Sequence, residues 1–148
     1  MIRFLSIFAF LLILVARATA PVAGEVQPQM TLYKNPQCGC CEGHADYLRQ
    51  NGFDVKVLAT HDLPLIKREH DVPDELAGCH TILTDGYVIE GHISAEIIKR
   101  LLNERPAITG ISLPGMPMGS PGMLGDKTEP FTIYTFGGEK EPYIYAVE

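Results

Sequence analysis

Cys38, Cys40 and Cys41 fall within one Cys-Gly-Cys-Cys run, while the fourth cysteine of the chain, Cys79, stands far from them in sequence. Sulfur at such spacing supports disulfide bridging, thiol redox exchange or the binding of a soft metal ion. A structural framework gains most by closing long loops, and three crowded thiols forfeit that gain. Adjacent Cys40 and Cys41 cannot bridge each other without strain. Redox and metal chemistry therefore lead. Cys38 and Cys41 make a CxxC pair, the spacing of a dithiol redox couple, with Cys40 as an extra thiol inside it. A redox couple needs two sulfurs, and a third invites scrambled disulfides. A soft cation such as Cu(I) gains from each added thiolate, and several ions can share bridging sulfurs. A position at the start of a helix stabilises thiolate through free N–H groups and the helix dipole, which serves either chemistry.

Further soft donors lie elsewhere. Met116, Met118 and Met123 sit in the Pro- and Gly-rich run PGMPMGSPGM, residues 114 to 123, which cannot form a regular helix or an internal strand. Thioethers bind Cu(I), form no disulfides and carry no charge to titrate. Such a loop would collect copper, pass it on or cover the thiols; the plain alternative is a surface loop with incidental methionines. His44 follows Cys41 by three residues and shares its helical face, as a ligand or proton relay. His80 adjoins Cys79 but is expected to point the other way if the segment is extended. His61 and His70 read as solvated helix-end residues, and the five histidines, His92 included, read more readily as structural than as ligands. Cys79 on its own is a small buried hydrophobe or a fourth ligand. Four cysteines also match a structural zinc count, yet zinc usually takes two CxxC-like knuckles, and a three-plus-one split serves a tetrahedron poorly. Zinc ranks second to copper.

The elements that must position these residues follow from periodicity and turn signals. MTLYK, residues 30 to 34, alternates as a strand closed by Asn35-Pro36, and a helix is expected over Glu42 to Gln50, closed by Asn51-Gly52. A second strand runs from Phe53 to Ala59, and Asp62 caps a helix through Leu65, Ile66 and Glu69, with one further turn near Asp74 to Ala77. Residues 81–84 and 87–90 flank Asp85-Gly86, the pair favoured in a two-residue type I′ hairpin turn. Ser94 caps a last helix with an apolar stripe of Ile97, Ile98, Leu101 and Leu102. Beyond the methionine loop, residues 131–136 and 143–147 read as two strands extending an edge of the sheet. The order βαβα-ββα is that of an α/β, thioredoxin-like single domain over residues 30–105, with the loop and C-terminal strands over 106–148. In that fold the loop entering the hairpin faces the CxxC motif, usually with a cis proline. Here it carries Cys79 instead, so four sulfurs are expected at one end of the domain.

The chain has 148 residues, 46% hydrophobic and 20% charged, and a formal net charge of −6. It can bury a real core, and it offers no basic face for nucleic acid or an anionic membrane. Residues 1–20 read as an export signal: basic Arg3, an apolar run from Phe4 to Val15, and small residues at Ala18-Thr19-Ala20, with cleavage expected near 18–24. The run is shorter than the roughly 20 residues that span a bilayer. A periplasmic protein without stable membrane association after cleavage is expected, an uncleaved anchor being the alternative.

YKNPQCGCCEGHADYLRQNGF, then GCHTILTDGYVIEGHI with its following helix, then LPGMPMGSPGM, resemble the exported CopG-type copper-resistance proteins. The resemblance implies a thioredoxin-like fold, periplasmic copper handling with other copper-handling proteins as partners, and Cu(I) held by Cys38, Cys40, Cys41 and Cys79. It also implies a role in interconverting Cu(I) and Cu(II), that is, a copper oxidoreductase. The opening YKNPQC is similar to that of arsenate reductases too, but the residues that follow and the export signal depart from their single-cysteine pattern. The reading carried forward is copper binding at a multi-cysteine site of one or several ions. A metal-independent thiol–disulfide oxidoreductase using Cys38 and Cys41 is the alternative.

Overall fold

The computed structural model describes residues 28–139 and 141–148; the expected export signal lies outside them. Five residues, Met30–Lys34, make strand β1, and their alternating burial sends Met30 and Leu32 into the core. Helix α1 spans Gly39–Gln50 and so begins three residues before the expected Glu42. Glycine and cysteine are weak helix formers, which hid this first turn from a propensity reading. Strand β2 (Val55–Ala59) pairs parallel to β1. Helix α2 (Leu63–Glu69) has Asp62 at its N-cap without the expected side-chain hydrogen bond, and a single 3-10 turn follows at Asp74–Leu76.

Strands β3 (His80–Thr84) and β4 (Tyr87–Glu90) form the hairpin expected from Asp85-Gly86. Both turn residues have positive φ, 45° and 84°, as a type I′ turn demands. Helix α3 (Ala95–Glu104) starts under Ser94, whose side chain accepts from the Ile97 N–H. Strand β5 (Gly110–Ser112), not expected from sequence, bridges β4 and β6 (Thr132–Phe136), and β7 (Ile144–Val147) closes the edge. Three residues are too few to show a periodicity.

Among the described residues the result is one mixed seven-stranded sheet in the order β2-β1-β3-β4-β5-β6-β7, with three α-helices. Leu32, Ile82, Ile89, Ile111 and Ile133 pack with Leu48 of α1 and with Ile98 and Leu101 of α3 in one core. The opposite pleat, with Val88 and Phe136, packs with Val72 and Leu76 after α2. Residues 106–148 thus contribute three strands to the same sheet. Cys41 is itself a core residue, with no solvent exposure, so the sulfur cluster is seated at the end of the main core.

Candidate metal centre

Cys38 is the N-cap of α1, and its N–H donates to the Asn35 carbonyl at 3.0 Å. The turn is held from below by Lys34. Its buried ammonium donates to the carbonyls of Asn35, Pro36 and Cys38 at 3.2–3.4 Å and meets Glu42 Oε1 at 3.1 Å. Glu42 lies in the first turn, where a carboxylate is favoured. One buried lysine therefore gathers the turn from which the three local cysteines project.

The donor atoms of Cys38, Cys40, Cys41 and Cys79 all lie within 4.8 Å of one another. Cys38 and Cys41 are joined as a disulfide, with Cα atoms 5.5 Å apart, while Cys40 and Cys79 are free. Cys40 Sγ is 3.5 Å from Cys38 Sγ, and Cys79 Sγ is 3.6 Å from Cys41 Sγ. The disulfide thus has a free thiol at each end. Its reduction yields four thiols in one group, the donor chemistry that suits Cu(I).

Cys79 is carried by a loop pinned from inside the fold. Glu90, at the end of β4 and without solvent exposure, accepts from the Gly78 N–H at 2.8 Å and from Thr81 Oγ1 at 2.5 Å. The Lys67 ammonium of α2 pairs with the same carboxylate and donates to Thr81 Oγ1. Burial pulls the Glu90 carboxyl upward from its ordinary range, and Lys67, Thr81 and the Gly78 N–H pull it back. Burial, reinforced by the nearby Cys40 thiol, pushes the Cys79 thiol up to about 12. Without metal it stays protonated at neutral pH, so a metal ion must displace its proton.

Three histidines stand behind this thiol. The expectation that His80 points away from Cys79 is corrected: His80 Nδ1 lies 3.3 Å from Cys79 Sγ. Strand β3 begins only at His80, so strict alternation does not reach back to Cys79. His92 Nε2 approaches the same sulfur at 3.1 Å, and its Nδ1 lies 2.7 Å from the Pro121 carbonyl. His44 is one step removed. Its Nδ1 meets His80 Nε2 at 2.8 Å and its Nε2 meets the Ile93 carbonyl at 2.9 Å, so both ring nitrogens are taken inside the protein. All three rings are buried, and burial holds each below the ordinary histidine range, His44 at about 4. His61 is exposed and His70 half-buried at the end of α2.

The methionine loop covers this end of the domain. Gly43 of α1 and Gly122 face each other so closely that a Cβ on Gly43 would lie 2.9 Å from the Gly122 carbonyl oxygen, and Gly122 has φ near +81°. Only glycine serves at that crossing. Met118 and Met123 line a groove of about 590 Å³ together with Cys40, Gly39 and Leu124. Met116, exposed like Met118, does not line it. His80, His92, Glu90 and Lys67 were not singled out as functional by the sequence reading, although hairpin register places His92 opposite Cys79.

A family of proteins of unknown function, DUF411, matches residues 76–123, the stretch that holds Cys79, His80, Glu90, His92 and the methionine loop. Two solved structures of copper resistance protein CopG, form 2 and form 1, are similar to the chain at 32% sequence identity, with TM-scores of 0.77 and 0.76. Each alignment covers 82% of this chain and 98% of the other. No curated protein matches.

Proposed function

The chain belongs to the CopG family of copper resistance proteins, and on that premise we propose that it binds Cu(I) through Cys38, Cys40, Cys41 and Cys79 in copper resistance. The observation that carries this reading is the convergence of four sulfur donors within 4.8 Å. Hard oxygen donors would suit other ions, whereas clustered thiolates suit Cu(I) and can bridge several ions. Met118 and Met123, in the groove beside Cys40, serve as auxiliary thioether donors during loading. His44, with both nitrogens engaged, acts as support for the ligand set rather than as a ligand. The strand and helix order supports a thioredoxin-like arrangement, and the N-terminal run of residues 4–15 supports export to the periplasm. No helix among the described residues is long and apolar enough to cross a membrane.

The test is competition for Cu(I) against a chelator under anaerobic, reducing conditions. Cys79→Ser is expected to stay folded and to lose affinity by about a hundredfold or more, because it removes the one sulfur contributed from outside the Cys38–Cys41 turn. A Cys79→Ser chain that binds copper like the parent contradicts the four-sulfur site.

A second reading has its own observation, the Cys38–Cys41 disulfide with Cys79 Sγ 3.6 Å from Cys41 Sγ. As a thiol–disulfide oxidoreductase, the chain would turn over disulfide substrates without metal, and Cys38→Ser would abolish that turnover. Copper cycling between oxidation states at the same ligands joins the two readings.

A further inference from the structure

Strand β1 sends Met30, Leu32 and Lys34 to the same buried pleat, so a lysine occupies what alternation makes a core position. Burying an ammonium is costly unless it is paired and hydrogen-bonded. Lys34 meets both conditions inside the cysteine turn. Its Nζ has three N–H donors, and the carbonyls of Asn35, Pro36 and Cys38 lie 3.2–3.4 Å away, with Glu42 Oε1 at 3.1 Å. With every donor taken there, the cation is fixed beneath the turn. The two charges of the pair are screened unequally. The Lys34 side chain is 4% exposed and that of Glu42 is 52% exposed, so water weakens the field of the carboxylate far more than that of the ammonium. Lys67, the cation whose charge reaches Cys79, is instead cancelled close by, because its partner Glu90 has no solvent exposure. A net positive field from Lys34 therefore remains at the Cys38–Cys41 disulfide, and the N-terminus of α1 adds to it with the same sign.

We propose that Lys34 is a positioning residue that sets the reduction potential of the Cys38–Cys41 disulfide. It thereby sets the redox poise at which the turn opens. The reductant in this step is an external dithiol. Its two electrons break the Cys38–Cys41 S–S bond, a new S–S bond forms within the reductant, and its two protons go to the released sulfurs. Each electron pair placed on the turn brings negative charge that protons neutralise only in part. A cation held against the Cys38 carbonyl favours that charge, stabilises the reduced turn and makes the disulfide easier to reduce. The Glu42 carboxylate acts in the opposite sense, weakly, because it stands half in water. The potential belongs to the metal-free protein, so the proposal holds whether the released thiols then bind copper or exchange disulfides.

The test equilibrates the metal-free full chain with graded ratios of reduced to oxidised dithiothreitol at neutral pH and counts free thiols by mass after alkylation. Lys34→Met removes the charge and installs a residue type already seated on that pleat at Met30. It is expected to shift the equilibrium about tenfold toward the disulfide, equivalent to about 30 mV, with the circular dichroism of the parent. Glu42→Gln is expected to shift it a few-fold the other way, toward the thiols. A pair that only braced the turn would move both variants in one direction, since either substitution loosens it. Variants shifted alike, or a folded Lys34→Met chain with the potential of the parent, overturn the proposal. Should Lys34→Met not fold, Glu42→Gln decides alone: a shift toward the thiols supports the proposal, and a parent-like value or a shift toward the disulfide overturns it. Copper does not enter the measurement, so its failure leaves the four-sulfur reading standing, and the failure of that reading leaves the potential to be judged on its own.

Discussion

The Cys38–Cys41 turn and the Cys79–His92 corner meet across a 3.6 Å sulfur contact, yet they are built in opposite ways. The turn is local: three cysteines in four residues, at the junction of β1 and α1, held by a lysine immediately before them. Cys38 and Cys40 are half-buried, and the turn responds directly to oxidation through its own disulfide. The corner is assembled from distant segments, with donor atoms from the two ends of a hairpin, an imidazole from α1 behind them and a carbonyl from the methionine loop. Its histidines are fully buried and held below the ordinary histidine range, Cys79 is half-buried, and its loop is tied to the Lys67–Glu90 ion pair. The contrast teaches that the soft, redox-responsive half of a metal centre can be supplied by a short motif, while the half that sets orientation needs the whole fold. Cys79 belongs to both halves, which is why it is the residue to remove first.

The contrast is sharpened most by oxidation. With the Cys38–Cys41 disulfide intact, two of the four sulfurs are withdrawn, and Cu(I) uptake at the sulfur group is expected to collapse while the fold persists; reduction should restore it. Copper counting on oxidised and reduced protein checks this, and equal uptake in both forms would break the comparison. Next in size is the ion pair behind the corner. Glu90→Ala leaves half-buried Lys67 without its carboxylate and the Gly78 N–H without its acceptor, and is expected to cost about 1–3 kcal/mol in urea unfolding of the metal-free protein. A loss under about 1 kcal/mol would mean that the pair is not integral to the corner.

Acid separates the two regions as well. His44, His80 and His92 have folded pKa values below the ordinary histidine value of 6.5, so the unfolded chain binds more protons as pH falls below it. Their stabilising contribution is complete above about pH 6.5 and is lost as pH falls below it, for His44 down to about 4 at up to about 1.4 kcal/mol per pH unit. Lys67 and the neighbouring histidines are the groups facing His80 that oppose its charge. Urea midpoints of metal-free protein measured between pH 7.5 and 5 should fall accordingly, and His44→Gln should flatten the slope. An unchanged slope would place the pH sensitivity elsewhere. The smallest effect is expected at the covering loop. Met118→Leu with Met123→Leu keeps the apolar groove and removes the thioethers, slowing Cu(I) loading a few-fold while equilibrium affinity stays within about threefold. A large loss of affinity would instead make the methionines full ligands.

Much of the first region was legible in the sequence, and much of the second was not. CxCC after an alternating strand located the thiol turn directly, although the weak helix propensity of Gly39 and Cys40 concealed that the helix starts inside the motif. The Asp85-Gly86 turn carried more information than its two residues suggest. Once Thr84 faces Tyr87, pairing runs back to Thr81 opposite Glu90, and two further steps set Cys79 across from His92. His92 could therefore have been read from register alone. His80 was misplaced because alternation was extended one residue beyond the strand. The Lys67–Glu90 pair joins α2 to β4, and no local pattern announces a contact between segments that far apart. Strand β5 owes its existence to neighbours on both sides rather than to Gly110–Ser112 themselves. The methionine loop was correctly irregular in composition, but its seating on α1 depends on Gly43 meeting Gly122, a contact only the fold reveals.

The most direct measurement is an anaerobic titration of the reduced protein with Cu(I) against a competing chelator, counting ions bound per chain. Tight uptake of more than one copper is the predicted result, since four converging sulfurs can bridge and exceed the needs of a single ion. Absence of tight uptake would contradict the account and leave Cys38 and Cys41 as a thiol redox pair.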